Sequence, residues 1–257
     1  MNLRFTLRHI IKAKYRKGFG VHSPNIFDFF TNAIYSKRKM DYSLAEDSLK
    51  LFKKSKAKIM VTQAGAKGSG EKKERKISDI ARKSSSYGKY GRLLQRISSY
   101  LKSETILELG TSLGIGTLYL AGGNPNAKIT TVEACPATAK TAQDNFDRLD
   151  LLNIVSLNSL FDNVIEDILT NNPPFGLVYV DGNHTYEATI RYYNLISEHA
   201  SNDTVVIFDD INWSSGMARA WDEIKKNPKS RVSIETMRMG IVFFNNKLTQ
   251  KIYCTRF

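Results

Sequence analysis

The stretch "ILELGTSLGIGTLYLA", residues 106–121, decides the fold. It begins with an apolar run containing Glu108, which is typical of a short buried strand. A turn with three glycines follows, and an apolar segment of helical character comes after the turn. A glycine-rich turn between a strand and a helix lets a ligand approach the backbone, because the first N–H groups of the helix face that ligand. The stretch therefore predicts a ligand site at the end of the first strand of an α/β domain.

The glycine spacing and two acidic residues narrow the class of ligand. The glycines at 110, 114 and 116 do not have the G-x-G-x-x-G spacing of dinucleotide enzymes, which disfavours an NAD-dependent enzyme. Glu108 precedes the glycines, and Glu133 closes the next predicted strand, "KITTVEA". An acid at the end of the second strand commonly binds ribose hydroxyls. The pair suits a ligand that carries a ribose and a cationic amino acid end.

Predicted strands alternate with predicted helices from residue 104 onward. "FGLVYVDG" and "DTVVIFDDI" are two of these strands, and each ends in acidic residues. Alternation of this kind predicts right-handed parallel βαβ units with helices on both faces of the sheet. The segment "RVSIETMRMGIVFF" changes character and predicts a hairpin. We therefore expect an antiparallel strand at the end of an otherwise parallel sheet.

The front third of the chain differs in charge from the remainder. Residues 1–92 hold 23 Lys and Arg against 7 Asp and Glu, whereas residues 93–257 hold 15 against 18. The front third is predicted to be a mainly helical extension, with a basic helix at 3–16, and residues 93–257 to be the α/β domain. The pair Ser23-Pro24 predicts the start of a second helix. Its predicted apolar face consists of Ile26, Phe29, Phe30, Ala33 and Ile34. The Lys-, Gly- and Ser-rich segment 53–76 is predicted to be a flexible loop.

The remaining composition favours a cytoplasmic protein. Cys135 and Cys254 are the two cysteines, and they lack metal-ligand spacing, which favours a reducing compartment. The basic N-terminus has neither the apolar core nor the cleavage site of a signal peptide. No apolar run reaches the length of a membrane span, so we expect no stable membrane insertion.

Three acids and a histidine follow the later strands. Asp181 closes the strand "VYVD", and Asp209 and Asp210 close "VIFDD", at the sheet edge where open α/β sheets bind ligands. Three converging carboxylates repel one another unless a cation lies between them, and oxygen ligands suit Mg²⁺. The alternative is that an Asp caps the following segment. His184 can accept a hydroxyl proton, ligate the metal, or make only a hydrogen bond at the helix entry.

Residues 104–245 resemble a class I S-adenosylmethionine-dependent methyltransferase. "LELGTSLGIGT" is similar to the first motif of the catechol and caffeoyl-CoA O-methyltransferase group, and "GFGVHSPNIFDFF" resembles the start of a set of bacterial methyltransferases. The resemblance implies a Rossmann-like, doubly wound, mostly parallel seven-stranded sheet with an antiparallel last strand. It also implies a set of residues around S-adenosylmethionine: Glu108, Gly110, Thr111, Ser112, Gly114, Gly116, Glu133, Asn158, Ser159 and Asp181.

The resemblance extends to the acids after the later strands. The group holds a divalent metal with an Asp in the first stretch and Asp-Asn in the second, which implies Asp181, Asp209 and Asp210 as ligands here. His184 stands where the group often carries a Lys that acts as base, and "DGNHTYE" is similar to a stretch of sugar and macrolide O-methyltransferases. We therefore expect metal-assisted O-methylation of a small phenolic or sugar-like hydroxyl, with Asp181 and His184 as catalytic residues.

Two other functions stay open at this stage. The basic front third could bind nucleic acid and make the protein an RNA methyltransferase, which is less favoured than a small-molecule acceptor. The α/β domain could also be a cofactor-binding module without catalysis. The resemblance leaves a homodimer open.

Overall fold

The computed structural model describes residues 9–62, 70–83 and 88–257. The chain divides into two compact units, one of residues Arg38–Val164 and the other of residues up to Lys37 together with Ile165–Phe257. This division differs from the boundary between residues 92 and 93 expected from charge, because the basic front third contributes to both units. That boundary stays a prediction.

The unit Arg38–Val164 contains three parallel strands that carry the glycine-rich turn. They are β3 (Thr105–Leu109), β4 (Lys128–Glu133) and β5 (Ile154–Asn158), with β4 in the middle. The register places Glu108 opposite Thr131, and Glu133 opposite Asn158. Helices at Ile115–Gly123 and Pro136–Arg148 make the crossovers. The carboxyl ends of the three strands therefore lie at one edge, as parallel βαβ units require.

The predicted loop 53–76 contains an antiparallel ribbon in its described residues. Helix Ser43–Lys54 is followed by β1 (Lys58–Thr62), which pairs with β2 (Lys72–Lys76). Composition alone favoured a loop, but the ribbon has support from its own unit, since the Thr62 N–H donates to the Cys135 Sγ at 3.3 Å. Residues 63–69 of the predicted loop lie outside the described residues. Helices Ile77–Lys83 and Lys89–Leu101 lead from the ribbon to β3.

The described residues of the second unit form five strands. They are β6 (Leu177–Val180), β7 (Val205–Phe208), β8 (Val232–Glu235), β9 (Gly240–Phe243) and β10 (Lys251–Cys254), in the spatial order β6-β7-β9-β8-β10. Strand β9 runs antiparallel to both neighbours, and the other pairs are parallel. Helices Tyr186–Glu198 and Ser215–Ile224 belong to this unit, and helix Phe161–Thr170 contains the boundary between the units. The predicted mostly parallel α/β class is confirmed.

The prediction of seven strands left out β10. Besides the ribbon β1–β2, the described residues form eight strands. The antiparallel strand is β9, from the predicted hairpin, and the last strand β10 is parallel to β8. The prediction missed β10 because it has four residues, two of them exposed, and therefore shows no clear alternation. Its pairing with β8 is decided by tertiary context.

The N-terminal segment packs within the second unit. Helix Pro24–Phe29 begins at the predicted Ser-Pro pair and continues as a π-turn, Phe30–Ile34. Its Phe29 ring lies edge-on against Phe243, with centroids 5.0 Å apart. The predicted apolar face of this helix is confirmed as buried: Ile26, Phe29, Phe30, Ala33 and Ile34. Of the predicted basic helix 3–16, the described part is helical at residues 9–12 only.

None of the helices in the three described ranges combines the length and apolar character needed to cross a membrane.

Candidate active site

Glu108 is a fully buried carboxylate with one satisfied and one unsatisfied oxygen. The Thr117 and Thr131 hydroxyls donate to its Oε2 at 2.5 and 2.6 Å. Its Oε1 is buried without a hydrogen-bond partner among the described residues. Burial raises the pKa of Glu108 to about 7, although the two threonine hydroxyls oppose the shift. A buried carboxylate oxygen without a donor is costly, so this position suits a cationic or N–H-bearing ligand group.

The turn after β3 needs its glycines for conformation and for packing. Gly110 and Gly114 have φ values of 113° and 79°, in the region that favours glycine. A Cβ on Gly114 would lie 2.6 Å from the Phe146 ring. Ser112 also has a positive φ, 48°, which is uncommon for serine. The predicted glycine-rich turn is thus a tight, closely packed connection into the helix Ile115–Gly123.

Glu133 binds the turn after β3 to the ends of β4 and β5. Its Oε2 accepts the Ser112 N–H, and its Oε1 accepts the Cys135 N–H, each at 2.8 Å. The Asn158 side-chain amide donates to the Glu133 carbonyl oxygen at 2.7 Å, and the Ser159 N–H donates to the same oxygen at 3.1 Å. Burial raises the pKa of Glu133, and hydrogen bonds oppose the shift, the largest of them from the Cys135 and Ser112 N–H groups. The structure therefore brings Glu133 together with three predicted neighbours.

Two further predicted residues, Thr111 and Gly116, lie in the turn after β3 and at the start of the helix that follows it. Thr111 is buried, and its hydroxyl bonds to that of Thr131 at 2.6 Å, which links it to Glu108. Gly116 lies in the first turn of the helix Ile115–Gly123. The role of Thr131 was missed, although its place two residues before Glu133 indicates that both side chains face the same side of β4.

Asp209 is a fully buried carboxylate that is satisfied on both oxygens. Arg238 binds it in a fork, with Nε 2.7 Å from Oδ1 and a terminal nitrogen 2.8 Å from Oδ2. The Asp210 N–H donates to Oδ1 at 2.7 Å, and the Tyr179 hydroxyl donates to Oδ2 at 2.8 Å. Burial alone would lower the pKa of Arg238, but the charge and hydrogen bonds of Asp209 raise it above its usual range. This arrangement is a bidentate ion pair between a buried carboxylate and a partly buried guanidinium.

Asp181 and Asp210 lie beside this pair and face His184. The His184 Nε2 is 3.6 Å from the Asp181 Oδ1 and 4.0 Å from the Asp210 Oδ2. Burial and the charge of Asp209 raise the pKa of Asp181 well above its usual range, and those same causes raise the pKa of Asp210. Asn183 and Asp210 have φ values of 49° and 52°, so both connections that carry this cluster hold a residue in the left-handed region. Backbone strain of this kind is often found at functional sites.

Two of the predicted metal ligands, Asp181 and Asp210, lie together with His184, whereas the third, Asp209, faces Arg238. Donor atoms of Asp181, His184 and Asp210 all lie within 4.8 Å of one another, which is compatible with one ion. Asp209 points its oxygens to Arg238 instead. The positive charge that contacts Asp209 belongs to the chain, and the divalent metal stays a prediction.

Arg238 and Tyr179 are the residues of this cluster that sequence reasoning missed. Tyr179 stands two residues before Asp181 on β6, and this spacing indicates the same face of the strand. Arg238 lies in the turn between β8 and β9, 29 residues after Asp209. Its position in a hairpin turn carries no signal for this contact, because an arginine there is ordinarily solvated.

Comparison with known proteins shows which proteins this chain is similar to. Residues 107–211 match a family model described as a methyltransferase domain. The chain is 30% identical over 124 residues to a catechol O-methyltransferase of Niastella koreensis, a match that covers 47% of this chain and 55% of that protein. It is 25% identical over 139 residues to a catechol O-methyltransferase of Mycobacterium tuberculosis, covering 52% of this chain and 60% of that one. The chain therefore spans less than two thirds of the length of both relatives.

A solved structure supports the same fold. The O-methyltransferase from Bacillus cereus in complex with SAH superposes with a TM-score of 0.57 at 18% identity, over 81% of this chain and 94% of the other. The predicted Rossmann-like fold is confirmed, and so is the resemblance to class I methyltransferases of the catechol group.

Proposed function

We propose that this protein is an S-adenosylmethionine-dependent methyltransferase that acts on a hydroxyl group of a small molecule. The observation that carries the proposal is the His184 imidazole, held near two carboxylates in the connections after β6 and β7. A carboxylate stabilises the positive charge that an imidazole gains when it accepts a proton. The two relatives named as catechol O-methyltransferases favour a phenolic or similar small acceptor.

The cofactor assignment is supported by the two acids of the unit Arg38–Val164. The unsatisfied Glu108 Oε1 is suited to the amino group of S-adenosylmethionine. Glu133 closes β4, the position from which an acid commonly binds ribose hydroxyls, and each of its oxygens accepts a backbone N–H. Asn158 and Ser159, at the end of β5, are assigned to the adenine, and the cofactor contact predicted for Asp181 stays a prediction.

The chemistry assigned to the chain's own residues is proton acceptance. When bound, S-adenosylmethionine supplies a methyl group that is already activated as a sulfonium. The acceptor oxygen forms a bond to the methyl carbon as the carbon–sulfur bond breaks, and the hydroxyl proton passes to the His184 Nε2. S-adenosylhomocysteine and a methyl ether are the products. Trp213, whose surface is 67% exposed, follows Asp210 closely and can cover an aromatic or sugar acceptor.

The positions of the acids and His184 limit which residues could bind a divalent cation. Asp181, His184 and Asp210 are the predicted donors that remain near one another. The His184 atom nearest both carboxylates is Nε2. Because one nitrogen lone pair cannot bind a metal and accept a proton together, the roles of base and ligand compete at His184.

The test is a His184→Gln variant assayed for methyl transfer from S-adenosylmethionine to catechol. We expect turnover to fall by about 100- to 10,000-fold, the usual contribution of a general base. Affinity for S-adenosylhomocysteine, measured by calorimetry, should change by less than about twofold. His199→Gln is a matched control, because His199 caps the far end of the helix that follows His184.

The result separates catalysis from binding. Equal turnover in the His184 variant and the wild type would refute the proton-acceptor role. A wild type that binds no S-adenosylhomocysteine would refute the methyltransferase proposal as a whole and would favour a different ligand for the glycine-rich turn.

A further inference from the structure

We propose that Arg238 is the resident cation of the carboxylate cluster and that this protein transfers methyl groups without a divalent metal. The inference rests on the proposed function and concerns what the reaction requires. It assigns to a side chain the neutralising charge that the sequence predicted for Mg²⁺.

The hydrogen bonds that Asp209 accepts from the protein leave little room for a metal ion. An ionised carboxylate has about four lone-pair sites, two on each oxygen. Here Oδ1 accepts from the Arg238 Nε and the Asp210 N–H, while Oδ2 accepts from a terminal Arg238 nitrogen and the Tyr179 hydroxyl. Three of these sites accept N–H donors, and the fourth faces the Tyr179 hydroxyl, whose one proton is shared with the Asp181 Oδ2 at 3.1 Å. A metal ion that bound Asp209 would have to compete with these donors.

Hydrogen bonds fix the backbone of the hairpin turn that carries Arg238. The Ile211 N–H donates to the Arg238 carbonyl oxygen at 3.0 Å, and the Asn212 side chain donates to the Met237 carbonyl oxygen at 2.9 Å. The Thr236 hydroxyl accepts the Met239 N–H at 2.8 Å and so closes the turn. The segment after the acids thus fixes the hairpin turn that carries the guanidinium. The ion pair is preorganised by the backbone and does not depend on a flexible surface arginine.

The positive charge of Arg238 also opposes the binding of a metal ion. Arg238 contacts Asp209 and also lies 3.1 Å from the Asp210 Oδ1 through its Nε. A guanidinium stays protonated at all pH values that a protein tolerates, so its charge is permanent. A divalent ion among these acids would experience repulsion from this charge at close range. The site therefore has reduced affinity for the ion that its carboxylates would otherwise attract.

Arg238 also orients the residues that face His184. The Arg238 Nε lies 3.1 Å from the Asp210 Oδ1. The other oxygen of that carboxylate, Oδ2, lies 4.0 Å from the His184 Nε2. Arg238 is thus a positioning residue, because it acts on the proton acceptor through Asp210.

The experiment compares metal binding and metal dependence in the wild type and in Arg238→Met. Methionine keeps an unbranched apolar chain and removes the charge. Mn²⁺ binding is followed by electron paramagnetic resonance on the full chain. Methyl transfer to catechol is measured after EDTA treatment and again with added Mg²⁺ or Mn²⁺. Arg231→Met is the matched control, since Arg231 is similarly half-buried in the same unit and binds the Leu248 carbonyl oxygen instead of a carboxylate.

We expect wild-type turnover to change by less than twofold with EDTA, and no stoichiometric Mn²⁺ binding at about 100 µM ion, where a site with micromolar affinity would saturate. In Arg238→Met, turnover without metal should fall by about tenfold or more, and Mn²⁺ affinity should rise by at least about tenfold, as expected when a nearby positive charge is removed. The control variant should behave as the wild type does in both measurements.

Two outcomes would overturn the inference. One is wild-type turnover that EDTA abolishes and Mg²⁺ restores. The other is one Mn²⁺ bound per wild-type chain, with binding lost in Asp209→Asn. If no catechol methylation is seen under any condition, the Mn²⁺ measurement on the wild type still decides the inference, and it does so even if Arg238→Met fails to fold. Binding of S-adenosylhomocysteine separately shows whether the proposed function has failed.

Discussion

Glu108 and Asp209 are both buried carboxylates near the carboxyl ends of strands, but their hydrogen bonds differ. Glu108 receives two threonine hydroxyls on one oxygen, while the other oxygen has no partner in the described part of the chain. Asp209 receives four donors, two of them from one guanidinium. Burial without a partner is costly, and burial with a full set of donors is not. Glu108 thus keeps one oxygen to which a ligand could donate, whereas the donors around Asp209 all come from the protein.

The largest expected effect comes from breaking the satisfied site. Asp209→Ala should lower the free energy of unfolding by about 3–5 kcal/mol, because it leaves the partly buried Arg238 without its bidentate partner. Chemical denaturation followed by circular dichroism measures this change. The exposed Asp203 in the same unit is the control, and Asp203→Ala should stay within about 0.5 kcal/mol of the wild type. A loss below 1 kcal/mol for Asp209→Ala would contradict the structural role given to the ion pair.

A change at Glu108, the carboxylate with an unsatisfied oxygen, should weaken ligand binding without lowering the free energy of unfolding. Glu108→Gln should weaken S-adenosylhomocysteine binding by about 30-fold, near 2 kcal/mol, because a charged hydrogen bond to the amino group is lost. Calorimetric titration gives the dissociation constant. Unfolding of the ligand-free variant at pH 8 should be no easier than that of the wild type, since a buried, half-satisfied charge has been removed. Unchanged affinity would remove Glu108 from the proposed cofactor site.

The smallest effect is a pH dependence that belongs to Glu108. Because burial raises the pKa of Glu108 to about 7, its carboxylate fraction rises about tenfold between pH 6 and pH 8. A cationic amino group prefers the ionised form, so affinity for S-adenosylhomocysteine should rise about tenfold over that range. In the ligand-free protein the sign is opposite. The folded-state pKa exceeds the ordinary value of 4.5, so the free energy of unfolding should fall as pH rises from about 4.5 to about 7.

Glu108→Gln is also the control for this prediction, because its amide does not titrate. Both pH trends should become flatter in the variant. If wild type and variant show the same dependence on pH, the titrating group lies elsewhere in the protein.

Much of the fold could be predicted because its signals are local. The apolar run before Glu108, the Gly110 turn and the alternation of strands with helices each depend on neighbouring residues. The structure confirms these elements, the hairpin β8–β9 and the buried face of the helix that begins at Pro24. The ribbon β1–β2 and the edge strand β10 were missed, because their pairing partners decide their conformation and their own sequences do not.

The candidate site was predictable to a similar degree. Glu108 and Glu133 could be placed because each ends a strand, and strand ends of parallel βαβ units meet at one edge. Asp181, His184 and Asp210 were placed together for the same reason, and the structure brings them within 4.8 Å. Arg238 could not be placed, because the contact between a hairpin turn and an acid 29 residues earlier depends on the whole path of the chain.

The sequence by itself determined that acids would gather after β6 and β7, and it favoured a cation among them over a capping role, since buried like charges repel. Only the tertiary structure decided which cation contacts Asp209, because the turn between β8 and β9 folds back and presents Arg238 to both of its oxygens. The same division holds at the glycine-rich turn. Glu108 is visible in the sequence, whereas its unsatisfied oxygen results from packing that buries the carboxylate and supplies hydroxyl donors on one side only.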